Sequence, residues 1–419
     1  MAWLVLALLC GLIVVGVPIG FSLMLTAAVA MLISGIDLIM VPIQMFAGTK
    51  SVVLLAIPLF IFMGELMGAT SISERIIHLA NSMVGWIRGG LAHVNVLTSM
   101  FMAEMSGSAV ADAAVMSKVF VPQMEKQGYP REFAAAVTAT SATLGIIIPP
   151  SIPMVLYGVT TNQSIKELFM AGIVPGILLG GAFMITSYIF ALKEGHPRNS
   201  GFRLLVLASA LMAAFIPLLI PVAVVGGLIA GIVTPTEAAA VGVLAALIFG
   251  AVLHRDLTLR NLGELLTATT KQTSVVMMII AGSAVLGQFL ANEQLPQQIA
   301  GAIGGITDQA WLLILLINLF LLVLGMVLHA SAAILIVVPM LLPLAQQIGI
   351  DPIHFGVIVC LNLGIGQQTP PVASVLLTVC STANVRIDHV MRYCKWFILA
   401  MFVTLIVVTY VPATALWFR

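Results

Sequence analysis

The stretch GIIIPPSIPMVLYG, at residues 145–158, places two adjacent prolines inside an almost wholly apolar segment. The stretch GIGQQTPPVASVLL, at residues 364–377, repeats the arrangement. Proline removes a backbone donor, clashes with the preceding turn and pushes the residue before it out of helical conformation, so a helix cannot continue smoothly through either pair. Each stretch is therefore predicted to be a helix that breaks inside an apolar layer.

The chain as a whole has the composition of a membrane protein. Of its 419 residues, 61% are hydrophobic and 8% are charged, whereas soluble proteins carry about 25% charged residues. Apolar runs of about 18 residues or more predict membrane-spanning helices. Such runs occupy residues 2–33, 51–69, 167–192, 204–230, 236–253, 273–291, 311–328 and 396–418.

We therefore predict an all-α polytopic membrane protein with roughly ten to twelve spanning or re-entrant segments. The N-terminal run lacks a positively charged start and a cleavage site, which is typical of a first helix rather than a removed signal peptide. The four cysteines form no CxxC pair, and we expect them to pack without holding a metal or cofactor. The net charge of +1 gives no reason to expect a nucleic-acid partner.

The two halves of the chain have prolines and glycines at matching positions, which predicts an internal repeat. Sliding the sequence on itself by 221 positions aligns prolines and glycines without a gap. The aligned pairs are Pro122 with Pro343, Gly128 with Gly349, Gly145 with Gly366, and Pro149-Pro150 with Pro370-Pro371.

Basic residues indicate that the two copies are inverted. The segment 118–132 holds Lys118, Lys126 and Arg131, whereas its counterpart 340–354 holds no Lys or Arg. Because basic loops favour the cytoplasmic side, the equivalent loops are predicted to face opposite sides of the membrane. Three further basic loops fit the cytoplasmic side, and the stretch 71–90 is predicted to be an amphipathic interfacial helix. The three loops are residues 193–203, 254–260 and 386–395.

The paired breaks predict a transport site. At membrane depth a freed backbone group costs several kcal/mol, so broken backbone is tolerated only where protein buries it or where it lines a wet cavity. Interruptions at matching positions of two inverted halves are typical of sites where carbonyls and helix ends bind a solute and its coupling ion. A kink that only shapes packing is the alternative interpretation.

A second unusual stretch precedes each break. EMSGSAVADAAV, at residues 104–115, is rich in small residues, and its apolar arms, 91–103 and 109–122, are short for a full crossing. We predict a helical hairpin that turns at Gly107 and re-emerges on the side it entered. Its counterpart GMVLHASAAILIV, at residues 325–337, carries His329 and Ser331 near its tip. Close packing of small residues between helices is the alternative.

Carboxylates inside apolar segments are functional candidates. Glu104 and Asp112 flank the first predicted tip. Asp112 lies one helical turn past Ser108, and it would either face the site or pair with Lys118. Glu237, which follows Thr-Pro-Thr, predicts instead a capping box at a helix start.

Three long stretches make the chain similar to a known family. SGSAVADAAVMSKVFVPQMEKQGYPREFAAAVTATSATLGIIIPPSIP, GIVTPTEAAAVGVLAAL and GIDPIHFGVIVCLNLGIGQQTPPV resemble the large membrane subunit of TRAP transporters, the tripartite ATP-independent periplasmic transporters. The resemblance extends over essentially the whole chain. It implies a secondary symporter of the bacterial inner membrane that is driven by Na⁺ and imports an organic acid anion, such as a C4-dicarboxylate, sialic acid, a keto acid or a sugar acid.

The resemblance also implies two partners and a mechanism. A small membrane subunit would brace the chain within the lipid, and a soluble periplasmic binding protein would deliver the substrate. Two hairpins and two broken helices would move as one block, as in an elevator. The implied regions are scaffold helices 1–90, a first transport region 91–165, scaffold and connecting helices 166–310, a second transport region 311–384, and a C-terminal helix 385–419.

The resemblance places candidate binding residues at the hairpin tips and breaks. Carbonyl and hydroxyl oxygens there would bind Na⁺, and we expect no other metal and no cofactor. The implied ion-binding residues are Ser106, Gly107, Ser108, Gly145, Pro149, His329, Ser331, Gly366, Thr369 and Pro370. The implied substrate-binding residues are Ser108, Pro150, Ser151, Pro371 and Val372.

Two positions depart from the family pattern, and other functions stay open. The family usually has an acidic residue near His329 and often has glycine at the position of Ala373. Coupling to H⁺ instead of Na⁺ is one alternative, because a His at a hairpin tip could titrate near neutral pH. An intramembrane hydrolase, with a serine of SGSAVAD or Ser331 and with His329, is another, and a scaffold or passive channel is a third. No phosphate-binding GxxxxGK[ST] motif supports an ATP-driven pump.

Overall fold

The computed structural model describes residues 2–106, 109–198, 201–294 and 309–419, with only the backbone described for 2–4, 6, 10, 14, 103–106 and 111. In these ranges the regular structure is helical apart from one isolated bridge between Arg88 and Arg198. Eight of the described helices are long and apolar enough to cross a membrane. The predicted all-α polytopic class is confirmed.

The first half of the described chain begins differently from the prediction. The apolar run 2–33 is two helices, because Gly16 takes a left-handed conformation (φ +91°) and Pro18 caps the next helix. The helices of this half are α1 (Ala2–Val14), α2 (Ile19–Ile33), α3 (Met40–Thr49), α4 (Ala56–Ala69), α5 (Ile72–Val84), α6 (Gly90–Ser106), α7 (Ala109–Lys126), α8 (Arg131–Ser141), α9 (Ile152–Thr161) and α10 (Ile165–Lys193).

The second half contains the predicted capping box. The Thr234 hydroxyl accepts from the backbone N–H of Glu237, and the Glu237 carboxylate accepts from the Thr234 N–H at 2.7 Å. The helices are α11 (Leu204–Ile229), α12 (Pro235–Leu247, extended by a π-helical turn Ile248–Leu253), α13 (Leu259–Asn292), α14 (Ala310–Val327), α15 (Ala330–Gln347), α16 (Pro352–Gly366), α17 (Ser374–Ala383) and α18 (Ile387–Tyr410).

Helix boundaries repeat with the shift of 221 positions found in the sequence. That shift carries both ends of α7 onto both ends of α15, and the first residue of α8 onto the first residue of α16. Gly128 and Gly349 make the same left-handed turn after α7 and α15, with φ of +87° and +79°. Both second half-helices, α9 and α17, end at a left-handed asparagine.

Helices of one repeat pack against helices of the other repeat. Helix α7 packs against α17, which belongs to the second repeat, and α15 packs against α9, which belongs to the first. Helices α10 and α18 lie against this group, since α18 packs on α8 and α10 packs on α6, α16 and α18. A separate layer is formed where α13 packs on α2, α3 and α4, with α12 on α4 and α11 on α5.

Candidate transport site

The first break interrupts a helix in the buried centre of the chain. Helix α8 continues as a 3₁₀ turn, Ala142–Ile146, and α9 begins at Ile152. The Ser151 hydroxyl donates to the carbonyl oxygen of Ile146 at 2.6 Å, so this predicted binding residue satisfies one backbone group that the break releases. Gly145, Pro149, Pro150 and Ser151 are all buried, and the Pro149–Pro150 peptide is cis.

The second break has the same backbone design with a different exposure. Helix α16 ends at Gly366, α17 begins at Ser374, and the Pro370–Pro371 peptide is cis. Pro370, Pro371 and Val372 are exposed, whereas the equivalent residues of the first break are buried. The Thr369 hydroxyl donates to the Ile365 carbonyl at 2.9 Å. Access to the breaks is therefore open on the side of the second repeat.

Two buried glutamines lie at the second break, and neither was predicted as a site residue. Gln367 and Gln368 are buried, with 1% and 0% of their surface exposed. The Gln368 amide nitrogen donates to the carbonyl oxygen of Ala139 in α8 at 2.6 Å. Within the described part of the chain, the Gln368 amide oxygen and both polar atoms of the Gln367 amide find no hydrogen-bond partner.

These orphaned amide atoms point to a ligand. Leaving a buried polar group unpaired costs about 1–3 kcal/mol, and native proteins rarely carry such groups without a function. A solute or ion with complementary atoms would satisfy them. The sequence already contained this feature, because two consecutive glutamines, one residue before a Pro-Pro pair, are unusual in an apolar segment.

The broken helices approach each other near their breaks. A Cβ added to Gly364 would lie 3.6 Å from Ile146 and 3.8 Å from Thr143. The Tyr157 hydroxyl donates to the Pro352 carbonyl at 2.6 Å, which joins the first broken helix to the start of the second. The structure therefore brings the Gly145–Ser151 and Gly366–Val372 segments into one region.

The second hairpin lies directly on the second break. Helices α14 and α15 pack together, and His329 is the residue that precedes α15. Gly325, near the end of α14, meets Gly366 at the end of α16, and an added Cβ on Gly325 would lie 3.2 Å from the Gly366 Cα. Ser331 is buried in the first turn of α15. The predicted second tip is therefore adjacent to the predicted second break.

The first hairpin is longer than predicted. Its arms are α6 with 17 residues and α7 with 18, not the shorter segments 91–103 and 109–122, because α6 continues through residues 104–106 toward the tip and α7 continues through residues 123–126 at its other end. Both arms pack on the 3₁₀ turn of the first break. Gly107 and Ser108 lie outside the described residues, and only the backbone of Glu104 and Ser106 is described. Asp112 is in the first turn of α7.

Buried asparagine side chains form hydrogen bonds between each hairpin and the broken helix of the same repeat. In the first repeat, the Asn95 amide nitrogen on α6 donates to the Thr138 hydroxyl on α8 at 2.7 Å. The Ser141 hydroxyl donates to the Asn95 amide oxygen at 3.3 Å and accepts from Ser99 at 3.1 Å. In apolar surroundings such a satisfied network specifies one arrangement of the helices.

The second repeat has an equivalent link. The Asn362 amide nitrogen on α16 donates to the Asn318 amide oxygen on α14 at 2.7 Å, and Asn318 donates to the Thr409 hydroxyl on α18 at 3.3 Å. None of these asparagines was predicted as a site residue, although their polar side chains within apolar helices could have indicated them. One arm of each hairpin is thus hydrogen-bonded to the broken helix of the same repeat.

The chemistry at the breaks is neutral and rich in oxygen. Residues 147–151 and 367–373 contain no ionisable side chain. In the described ranges no group of three or more His, Cys, Asp or Glu side chains could hold a metal ion. Carbonyl, amide and hydroxyl oxygens are the donors that remain, and they suit a hard monovalent cation or the polar groups of a solute.

Comparison with known proteins agrees with this geometry. Residues 6–414 match the family described as "Tripartite ATP-independent periplasmic transporter, DctM component". The chain is 40% identical to the sialic acid TRAP transporter large permease protein SiaM of Vibrio cholerae, over 96% of this chain and 94% of that protein. It is 36% identical to the 2,3-diketo-L-gulonate TRAP transporter large permease protein YiaN of Escherichia coli, over 97% and 96%.

Two further comparisons extend the picture. The isethionate TRAP transporter permease protein DctMQ of Oleidesulfovibrio alaskensis is 38% identical over 97% of this chain, which spans 64% of that protein. The crystal structure of the Alcanivorax borkumensis YdaH transporter superposes with a TM-score of 0.62 over 89% of this chain and 86% of that one, at 14% identity, and so shares the fold. The chain is a transporter subunit rather than an enzyme, and it belongs to the DctM component family of the tripartite ATP-independent periplasmic transporters.

Proposed function

We propose that this chain is the transport subunit of a secondary symporter that imports an organic acid anion with a Na⁺ gradient. The observation that carries the proposal is the convergence of two broken helices and the second hairpin on the buried, partly unpaired amides of Gln367 and Gln368. The names of the relatives support the substrate class, because sialic acid, 2,3-diketo-L-gulonate and C4-dicarboxylate are organic acids.

The neutral chemistry of the breaks favours Na⁺ over H⁺. A coupling proton needs a titratable carrier, and neither break contains one. A sodium ion needs only oxygen ligands, which released carbonyls and the Thr369 hydroxyl could supply. Ser106, Gly107 and Ser108 of the first tip, with Ser331 of the second, would complete the ion sites. Proton coupling remains the second candidate, with His329 and Asp112 as carriers.

The substrate would bind where both breaks face one space. Pro371 and Val372 are exposed, so a solute could reach the second break first, while Pro150 and Ser151 would form the inner wall. The carboxylate of an organic acid needs a positively charged partner, and the N-terminus of a half-helix supplies a partial positive charge. Helices α9 and α17 both begin at a break and could serve in this way.

The remaining parts follow from the tripartite family. We propose that a small membrane subunit braces the layer built on α13, and that a periplasmic binding protein loads the substrate. The third of the isethionate permease that this chain does not span has room for such a small subunit. We propose that the chain lies in the bacterial inner membrane with its basic loops, including residues 193–203, in the cytoplasm. The hairpins and broken helices would then move as one block.

An uptake assay tests the proposal. The chain and its small partner would be reconstituted in liposomes with the cognate binding protein and a panel of labelled organic acids. We expect one acid to accumulate with an inward Na⁺ gradient and not without it. Accumulation that follows a proton gradient in Na⁺-free buffer would support the second candidate. The absence of accumulation, with a binding protein shown to be loaded, would contradict both candidates.

A further inference from the structure

A cavity outside the transport site opens where the α5–α6 turn meets the end of α10. Its volume is about 570 Å³, which lies within the range of small-ligand pockets. It is lined by Trp86, Arg88, Tyr188, Leu192, His196 and Arg198. The loop that forms its outer wall belongs to the basic segment 193–203, so the cavity lies on the predicted cytoplasmic side.

Two neighbouring arginines line this cavity. Arg88 and Arg198 are partners in an antiparallel bridge, which the Gly89 N–H closes by donating to the Pro197 carbonyl at 3.1 Å. Side chains directly opposite in such a pair have Cβ atoms about 4.5–5.5 Å apart, and like charges there are destabilising. Among the described residues, no carboxylate lies within ion-pair distance of either guanidinium. The bridge therefore places two exposed arginines side by side with no carboxylate paired to either, and a phosphate could bind both guanidinium groups.

His196 also lines the cavity. It is 4% exposed, its Nε2 lies 3.2 Å from the Glu194 carboxylate, and its Nδ1 has no partner in the described part of the chain. Burial lowers the pKa of His196, so near neutral pH the ring is uncharged. The uncharged ring adds no further positive charge, so Arg88 and Arg198 are the cationic side chains of the cavity lining. Glu194 itself does not line the cavity, because its carboxylate is turned toward His196 and Tyr393.

An exposed apolar stripe leads away from the cavity along α10. Ile185, Tyr188, Ile189 and Leu192 have the spacing of one helix face, and they are 64%, 45% and 51% exposed at the three aliphatic positions. Trp86 and Tyr188 at the mouth are the aromatic types that favour the membrane interface. A free phosphate ion would leave this stripe unused, whereas a phospholipid would cover it with an acyl chain.

We propose that this cavity binds one anionic phospholipid of the cytoplasmic leaflet. Its phosphate lies between Arg88 and Arg198, and an acyl chain follows Ile185 to Leu192. Basic pockets between helices on the cytoplasmic side are suited to such headgroups. The lipid links the start of α6, an arm of the first hairpin, to the end of α10.

Lipid titration of the purified full chain tests the proposal. Native mass spectrometry and thermal unfolding would be followed in detergent with phosphatidylglycerol, and with phosphatidylcholine as the zwitterionic comparison. We expect phosphatidylglycerol to bind and to raise the Tm, and phosphatidylcholine to do neither. The Arg88→Ala/Arg198→Ala variant should bind it about tenfold or more weakly, since each basic contact contributes about a factor of five. Arg260→Ala, which removes another exposed arginine on the cytoplasmic side, should match the unchanged chain.

Further variants keep the test decisive. Arg88→Lys/Arg198→Lys retains the charge and should retain most of the binding, which separates charge from misfolding if the alanine variant does not fold. Equal phosphatidylglycerol affinity in the unchanged chain and in the alanine or Arg198→Gln variants would overturn the proposal. A Tm shift from inorganic phosphate as large as that from the lipid would also overturn it, in favour of a free anion. If the alanine variant no longer binds the small membrane subunit but still binds phosphatidylglycerol as the unchanged chain does, the cavity is a protein interface and the proposal is overturned.

Discussion

The side-chain amide nitrogen of Gln368 donates a 2.6 Å hydrogen bond to the carbonyl oxygen of Ala139, 229 positions earlier in the chain. The bond connects the break of the second repeat to the helix that precedes the break of the first. Its acceptor is a backbone group beside the 3₁₀ turn Ala142–Ile146, where regular helical bonding ends. One buried side chain thus links the two broken helices directly.

Removal of this bond should destabilise the chain. Gln368→Ala leaves the Ala139 carbonyl buried without its partner, which costs about 1–3 kcal/mol. We expect a lower Tm in detergent and slower uptake in liposomes. Gln346→Ala, at an exposed position near the end of α15, is the matched control and should change neither quantity. An unchanged Tm in Gln368→Ala would show that the bond does not contribute to stability.

The hydroxyl of Thr369 should matter for ion coupling. Thr369→Ala removes one oxygen from the second break, and losing a contact worth about 1 kcal/mol should weaken the apparent Na⁺ affinity about fivefold. Ser108→Ala, at the first predicted tip, should act in the same direction. Membrane insertion should persist in both variants, as shown by yield in the membrane fraction.

Thr378→Ala is the control for this experiment. Thr378 is also partly buried, and its hydroxyl donates to a carbonyl one turn earlier, as that of Thr369 does, but it lies inside α17 and away from the break. Its Na⁺ dependence should remain that of the unchanged chain. Normal Na⁺ dependence in Thr369→Ala and Ser108→Ala would remove both side chains from the ion site.

The contact between Gly325 and Gly366 should not tolerate a side chain. A Cβ on Gly325 would lie 3.1 Å from the Leu363 Cα and 3.2 Å from the Gly366 Cα, where only backbone could yield. We expect Gly325→Ala to separate the hairpin from the break and to reduce uptake and Tm together. Gly181→Ala, at a helical glycine with open space around it, should be neutral or slightly stabilising. Full uptake by Gly325→Ala would mean that the close approach is dispensable.

Ala373 has a backbone conformation that glycine adopts more easily than alanine. It precedes α17 in a left-handed conformation with φ of +47°, which costs a residue with a Cβ about 1–2 kcal/mol and costs glycine little. Ala373→Gly should therefore raise the Tm, and Ala373→Val should lower it. Ala383→Gly, at the end of α17, should instead lower the Tm, because glycine weakens a helix. A fall in Tm for Ala373→Gly would contradict the conformational argument.

Acid should destabilise the chain through His196. Burial lowers the pKa of this histidine in the folded state, so the unfolded chain binds more protons below the ordinary pKa of about 6.5. Stability is then fully present above pH 6.5 and falls as the pH drops below it. His196→Gln should flatten the fall in Tm between pH 6.5 and pH 5, measured without added lipid. His389→Gln, at a histidine whose side chain is 60% exposed, should leave the slope unchanged.

Features that depend on one residue and its neighbours were predictable from the sequence. The Pro-Pro breaks, the capping box at Thr234 and the glycine turns at Gly128 and Gly349 follow from a missing donor, a side-chain oxygen or an absent Cβ. The run 2–33 shows the limit of this reasoning, since the apolar character continues through Gly16 while the helix does not. The position of Ala373 was predicted as a departure from the family, but its left-handed backbone was not.

By itself the sequence determined the all-α membrane class, the repeat of 221 positions and the location of both breaks, because apolar length and proline act locally along the chain. Only the tertiary structure decided that α7 packs against α17 and α15 against α9, that Gly325 meets Gly366, and that Gln368 reaches Ala139. Those contacts join residues that are far apart in the chain. Which distant surfaces meet depends on the packing of all the helices together, and no local pattern encodes that choice.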